Sequence, residues 1–132
     1  MELKDDHHCF ACGQENPGGL KLDFKVDEES RSISTEFIPE KTFQGYKDIT
    51  HGGVISTVLD EAMTKLAFSL GVDAVTAKLT VRFKSPLMVG EKAIVTGRLV
   101  KESGRVVTAE AVAVRPDGKV IAVAEGLLMR VR

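Results

Sequence analysis

The stretch best suited to chemistry is a glycine-rich turn followed by a long apolar segment that carries two acids. Thr50-His51-Gly52-Gly53 leads into an apolar run over residues 54–70, with Asp60 and Glu61 in its middle. A helix that begins on glycines presents backbone N–H groups that have no intrahelical partner, as oxyanion and phosphate sites do. A pair of carboxylates in an otherwise core-like helix requires an explanation beyond packing. The two features together predict a functional site on one helix.

This helix is predicted over residues 53–70, with Gly71 as its C-terminal stop. Apolar side chains cover well over half of its circumference, so we expect it to be buried on most sides. Glu61 precedes Lys65 by four residues, which is the favourable order for a surface ion pair. A narrow polar stripe at i, i+4 and i+8 is formed by Ser56, Asp60 and Thr64.

Strands are predicted on both sides of the helix. Strict alternation or high β-branched content marks residues 20–26, 32–37, 74–85, 91–101, 105–115 and 119–131. Residues 39–50 form a long loop into the helix, and loops of this length are often functional. A single antiparallel sheet covers such a helix only by curling around it. We therefore expect an α+β fold with about six strands, whose open side is covered by a second copy.

Composition limits the class of protein. The chain has 132 residues, is 43% hydrophobic and 28% charged, and carries a net charge of −1. One domain over residues 1–132 is expected, with an irregular segment at 1–19. A near-neutral balance gives no case for a nucleic-acid partner. Charges interrupt the apolar run and the first residues are polar, so we expect no membrane span, no secretory signal and a cytoplasmic protein.

The two cysteines, Cys9 and Cys12, form a Cys-x-x-Cys next to His7 and His8. Without an export signal, we expect thiols or metal ligands rather than a structural disulfide. The four side chains could supply a zinc site, since zinc accepts mixed Cys and His ligands. A single Cys-x-x-Cys without a second pair favours the plainer interpretation, in which the segment packs an N-terminal turn against the sheet. No metal is therefore expected.

Four groups of residues form recognisable motifs. They are Cys9-Phe10-Ala11-Cys12-Gly13 with Asn16-Pro17-x-Gly19-Leu20, Phe43-Gln44-Gly45, His51-Gly52-Gly53 with Asp60-Glu61-Ala62-Met63, and Phe83-x-Ser85-Pro86 with Gly90. Together they resemble the hot-dog-fold acyl-CoA thioesterases of the phenylacetate-operon type, and the resemblance covers most of the chain. It implies hydrolysis of acyl-CoA to the free acid and CoA with no cofactor. Alternatives on the same fold are an acyl-carrier-protein thioesterase and a non-catalytic acyl-CoA-binding protein.

The resemblance places the oxyanion donor on Gly53 and the general base or nucleophile on Asp60. Seven residues separate them, which is about 10 Å along a helix axis. A thioester carbon must lie about 3 Å from both groups, so the two cannot act together within one chain. Two helices packed antiparallel about a two-fold axis bring Gly53 of one subunit to Asp60 of the other. We therefore expect an obligate homodimer, and the family commonly pairs dimers further.

Three further residues have candidate roles near the reacting group. His51 is either an acid/base or a residue that fixes the turn, and the structural role is slightly favoured. Thr76 matches a Ser/Thr position that holds the carboxylate or water, against the interpretation of an ordinary strand residue. Gln44 lies near a polar position that assists the carbonyl, although Asp48 stands where relatives often carry Gly. Asp60 is preferred over Glu61 because Glu61 can pair with Lys65.

Substrate contacts are predicted at the turn, the helix and the strand after it. Gly52 is assigned to substrate binding, and Leu59 and Met63 are expected to line an acyl pocket together with the 39–50 loop. Lys78 and Arg82, with Lys84, share one face of a strand and could meet the phosphates of coenzyme A. The alternative for these cations is the solvated face of a sheet. The acyl group itself is not predicted.

Overall fold

The computed structural model describes residues 1–131, and within that range one long helix packs against one six-stranded sheet. The helix α1 spans Gly52–Ser69. The strands are β1 Lys25–Asp27, β2 Ser32–Phe37, β3 Ala74–Phe83, β4 Ala93–Ser103, β5 Val106–Val114 and β6 Val120–Arg130. This is the predicted α+β architecture.

The sheet has the order β1-β2-β4-β5-β6-β3, and every neighbouring pair is antiparallel. Each of the strands β2 to β6 contacts α1, so the sheet wraps around the helix as predicted. The chain that leaves α1 forms β3 at one edge, whereas β4, β5 and β6 form a meander that separates β3 from β2. The edge of β3 that faces away from β6 has no strand partner in residues 1–131.

Helix α1 is buried along the face that the sequence indicates. Its fully buried side chains are Ile55, Val58, Leu59, Ala62, Met63, Leu66 and Ala67. The helix starts and ends within one residue of the predicted limits, with Leu70 as its C-cap. Gly71 follows with a φ of 82°, a left-handed conformation that glycine adopts at little cost. Within residues 1–131, no helix combines the length and apolarity that crossing a membrane requires.

The helix approaches the sheet closely at Gly97 of β4. A Cβ atom at this position would lie 3.1 Å from Ile33 Cγ2 and 3.5 Å from Ala62 Cβ. The sheet residues that face this part of the helix are also small, including Ala109 and Ala111. Small side chains therefore let the helix lie close to the strands that support it.

The strand predicted at residues 20–26 is wrong for most of its length. Only Lys25–Asp27 pairs with β2, and Lys21 has a φ of 53°, which is incompatible with an extended strand. The amides of Leu20 and Leu22 instead donate to the carbonyls of Phe10 and Ala11. The alternating apolar side chains still face the core, but their backbone is bonded to the N-terminal segment rather than to the sheet. The loop at 39–50 contains one short 3-10 turn, Lys41–Phe43.

Candidate active site

The start of α1 is closed by His51, which is the N-cap residue. The Gly53 N–H donates to His51 Nδ1 over 2.9 Å. A Cβ atom on residue 53 would lie only 3.0 Å from the imidazole, so the glycine makes room for the ring. In the neutral ring, an accepting Nδ1 leaves the proton on Nε2. This contact is the structural role considered for His51, and it occupies the amide that was predicted to hold the oxyanion.

The free donor at this helix end is the amide of Gly52. It lies one residue before Gly53 and has no hydrogen-bond acceptor within residues 1–131. The Phe83 ring of β3 lies beside it, 3.5 Å from where a Cβ of residue 52 would be. Nearby, Thr50 is 3% exposed and its hydroxyl is buried with no partner in the same range. Gly52, Thr50 and His51 line one surface pocket together with Tyr46.

Asp60 lies two turns after the start of α1, and Thr76 of β3 holds its carboxylate. The Thr76 hydroxyl donates to Asp60 Oδ1 over 2.6 Å, and both side chains are half-buried. The other carboxylate oxygen, Oδ2, has no hydrogen-bond donor within residues 1–131. One oxygen is therefore fixed by β3 while the second stays available. The structure thus brings Thr76 and Asp60 together, and the role of Thr76 in positioning the carboxylate stays a prediction.

The two groups lie at different places on one helix. Eight residues separate Gly52 from Asp60, which corresponds to about 12 Å along the axis. One acyl carbon cannot contact both in a single chain. A site that uses both groups needs a second α1.

The loop before the helix uses its polar side chains to hold its own shape. Gln44 Oε1 accepts the Asp48 N–H over 3.0 Å, and the Gly45 N–H donates to the Ile49 carbonyl. Asp48 has a φ of 65°, a conformation that aspartate tolerates better than most residues. This explains how a non-glycine residue fits here, and it shows that the Gln44 carbonyl is engaged within the loop.

Glu61 does not form the predicted surface ion pair. Lys65 Nζ lies 3.9 Å from an oxygen of Asp5, whereas Glu61 Oε2 accepts from Cys9 Sγ over 3.2 Å. Burial raises the pKa of the Glu61 carboxyl above its usual value, and the hydrogen bond from Cys9 opposes that rise. The N-terminal segment therefore covers this side of α1, which local helix spacing alone did not reveal.

Two predicted pocket residues belong to the core. Leu59 and Met63 are both 0% exposed and face the sheet, so the prediction that they line an acyl pocket is corrected. They share the buried face of the helix, whereas Asp60 lies on its polar stripe. Lys78 and Arg82 are exposed on β3, as either interpretation of them requires.

The N-terminal histidines contact acidic residues of their own segment and are not part of the cysteine cluster. His8 Nδ1 lies 2.9 Å from the Asp6 carbonyl, and His7 Nδ1 lies 4.0 Å from a carboxylate oxygen of Asp5. Both cysteines are free thiols. Burial, with the charge of Glu61 as a second cause, raises the pKa of Cys12 to about 12. His7 and His8 are next to the two cysteines in the sequence. In the structure, however, the side chain that clusters with the two thiols is the carboxylate of Glu61.

The family model of the thioesterase superfamily matches residues 48–122, which contain the turn, α1 and most of the sheet. The chain is 30% identical over 87 residues to acyl-coenzyme A thioesterase THEM4 of Xenopus laevis, covering 66% of this chain and 39% of that protein. The chain thus spans well under half the length of this relative.

Solved structures of thioesterase-like proteins share the fold. Protein RHA08564, a thioesterase superfamily protein, superposes with a TM-score of 0.87 at 26% identity, covering 93% of this chain and 63% of that one. The Escherichia coli PaaI protein from the phenylacetic acid degradation operon gives 0.78 at 19% identity, covering 86% and 81%. The chain is a hot-dog-fold member of the thioesterase superfamily, as the sequence motifs indicated.

Proposed function

We propose that this protein hydrolyses acyl-CoA thioesters to the free acid and coenzyme A, with each site built from two subunits of a homodimer. The observation that carries this proposal is the Asp60 carboxylate, which Thr76 fixes at 2.6 Å and whose second oxygen is free of described partners. Membership of the thioesterase superfamily and the similarity to an acyl-coenzyme A thioesterase support the reaction class.

The chemistry needs a donor for the carbonyl oxygen and a base or nucleophile for the acyl carbon. In this proposal the Gly52 N–H of one subunit binds the thioester oxygen, and the positive end of the α1 dipole stabilises its negative charge. This replaces Gly53, whose amide is bound by His51. Removal of such a donor typically lowers the rate about 100- to 1,000-fold.

Asp60 of the partner helix then acts on the acyl carbon, either through a water molecule or directly. In the first route Asp60 takes a proton from water, the hydroxyl oxygen bonds to the acyl carbon, and the C–S bond breaks. The electron pair leaves on the CoA sulfur, which is released as thiolate or takes up a proton. Thr76 holds Asp60 Oδ1, so that Oδ2 faces the reacting water.

The homodimer is supported by the unpaired edge of β3. This strand spans ten residues and exposes Val75 and Phe83 along an edge that has no strand partner in residues 1–131. Such an edge readily pairs with another chain. Pairing of two β3 edges would also bring two α1 helices together, because α1 packs against β3. Further pairing of dimers, and contact of Lys78 and Arg82 with the CoA phosphates, belong to the same proposal.

The test is thiol release from a panel of acyl-CoA esters by the wild type, by Asp60→Asn and by a matched control. We expect Asp60→Asn to lower kcat about 100- to 10,000-fold, the usual contribution of general acid–base catalysis. Glu125→Gln removes the same charge from an exposed position of β6 and should leave turnover unchanged.

Unchanged turnover in Asp60→Asn would refute the assignment of this residue. Wild-type protein that binds acyl-CoA without thiol release would indicate a non-catalytic binding protein. Release only from acyl-carrier-protein thioesters would change the substrate class but keep the site.

A further inference from the structure

We propose that Cys9, Cys12 and Glu61 form a binding site for a divalent transition-metal ion, preferably zinc, that fastens the N-terminal segment to helix α1. The site lies outside the proposed catalytic groups and does not depend on the proposed function. It joins two parts of the chain that are about fifty residues apart.

The three ligand atoms are already clustered. The two thiol sulfurs and a carboxylate oxygen of Glu61 lie within 4.8 Å of one another, and Cys9 Sγ is 3.2 Å from Glu61 Oε2. A tetrahedral zinc ion with S and O ligands sets ligand–ligand distances of about 3.5–3.8 Å, given Zn–S near 2.3 Å and Zn–O near 2.1 Å. Small side-chain rotations are enough to reach those distances.

The backbone holds the two thiols on the same side of one turn. The Gly13 N–H donates to the Cys9 carbonyl over 2.8 Å, and the Cys12 N–H points at Cys9 Sγ over 3.5 Å. A Cβ atom on residue 13 would lie 2.4 Å from the Cys9 nitrogen, so only glycine fits this turn. The turn thereby brings both sulfurs to one point, as two ligands of a single metal ion require.

One cation lies near the cluster. Lys65 lines the same pocket, and its charge opposes the rise in the pKa of Glu61 and of Cys12, but its Nζ lies 3.9 Å from Asp5. Asp60 precedes Glu61 in the chain and adds a further carboxylate, so negative groups outnumber this one cation. A divalent ion would supply the countercharge that two thiols and a half-buried carboxylate need in order to be ionised together.

The ligand set selects the metal. Two thiolates favour zinc over magnesium or calcium, which prefer oxygen ligands. Three protein ligands leave a fourth coordination position, and the cluster opens into a pocket lined by Leu3, Thr64 and Phe68, which leaves room for water there. The zinc site considered from the sequence is thereby changed: Glu61 takes the place of His7 and His8.

The experiment measures metal in the full-length chain, purified under reducing conditions and incubated with Zn²⁺ before removal of excess ion. We expect about one zinc per chain by mass spectrometry. Replacement with Co²⁺ should give a thiolate-to-metal charge-transfer band and the intense visible bands of a tetrahedral site. Cys9→Ser and Cys12→Ser should each abolish both signals.

Glu61→Gln keeps the size of the side chain and removes a ligand charge, so it remains informative if the cysteine variants fail to fold. Loss of an outer-shell partner already weakens metal binding about 10- to 100-fold, so we expect a larger drop for this ligand, more than about 100-fold. Asp6→Asn and His8→Ala alter the same N-terminal segment outside the cluster and should retain one metal per chain.

Several results would overturn the site. The metal site is ruled out if wild-type protein stays metal-free after incubation with Zn²⁺ and shows no cobalt bands. Formation of a disulfide between the two thiols under mild oxidation would not rescue the proposal. Full metal content in Glu61→Gln, or loss of metal in His8→Ala, would show that the ligand set is wrong. Equal melting temperatures with and without bound zinc would contradict the fastening of the segment.

Discussion

At the scale of residues, the two glycines of the turn have different physical roles. Gly53 leaves space for the His51 ring and gives its amide to that ring, whereas Gly52 keeps an amide without an acceptor in residues 1–131. An N-cap side chain normally accepts from the second or third helical residue. The spacing from His51 could therefore have identified Gly53 as the capped amide and Gly52 as the free one.

A proline at position 52 tests this assignment. Proline fits the first position of a helix and removes only the N–H, and His51 already has the extended conformation, with φ −59° and ψ 130°, that precedes proline. We expect Gly52→Pro to lower kcat about 100- to 1,000-fold while the melting temperature changes little. Gly52→Ala keeps the N–H and should stay within a few-fold of wild type. Equal losses in both variants would indicate a steric effect instead.

The Thr76 hydroxyl allows a second residue-scale prediction. Thr76→Val keeps the shape of the side chain but removes the hydrogen bond to Asp60. Hydrogen bonds to charged groups contribute about 1.5–3 kcal/mol, so kcat should fall about 10- to 150-fold with little change in KM. Thr76→Ser retains the donor and should recover most of the rate. A rise in KM alone would point to substrate binding rather than to positioning of Asp60.

At the scale of elements, the close approach of α1 to β4 depends on Gly97. Gly97→Val places methyl groups against Ile33 and Ala62, where a Cβ alone is already 3.1 Å and 3.5 Å from them. Overpacking of this kind costs about 1–3 kcal/mol of unfolding free energy, measured by urea denaturation. Thr96→Val places the same side chain at the neighbouring position, on the exposed face of the sheet. It should change the free energy of unfolding by under about 0.5 kcal/mol. Equal effects of the two variants would contradict the packing argument.

The elements also show what sequence patterns can and cannot predict. Periodicity located α1 and the strands from β2 to β6, because each buries one face and local alternation reflects that burial. It failed at residues 20–24, where the same alternation arises from a segment bonded to Phe10 and Ala11. It also missed the contact of Glu61 with Cys9, since this pair is 52 positions apart and no local spacing encodes it.

At the scale of the whole molecule, the proposed site can be tested by mixing two defective chains. Gly52→Pro lacks the donor and Asp60→Asn lacks the carboxylate, so each homodimer should be inactive. Random assortment makes half of the dimers mixed, and each mixed dimer has one intact site, so co-expression should restore about a quarter of wild-type activity. Sedimentation should show a dimer for both parents. Activity no greater than the sum of the parents would indicate that each site is built within one chain.

The strand order has a consequence for how the chain folds. The β4–β5–β6 meander pairs segments that are near in sequence, whereas β3 pairs within residues 1–131 with β6 alone, so that Ala74 must reach Arg130 near the C-terminus. Local pairings lose less loop entropy and form earlier. We expect β3 to dock after the meander has formed, as does β2, which pairs Ser32 with Arg98 and closes a loop at least as long. The β3 edge that a partner would pair with is then complete only after these slower, non-local steps, so encounter with a second subunit would follow them.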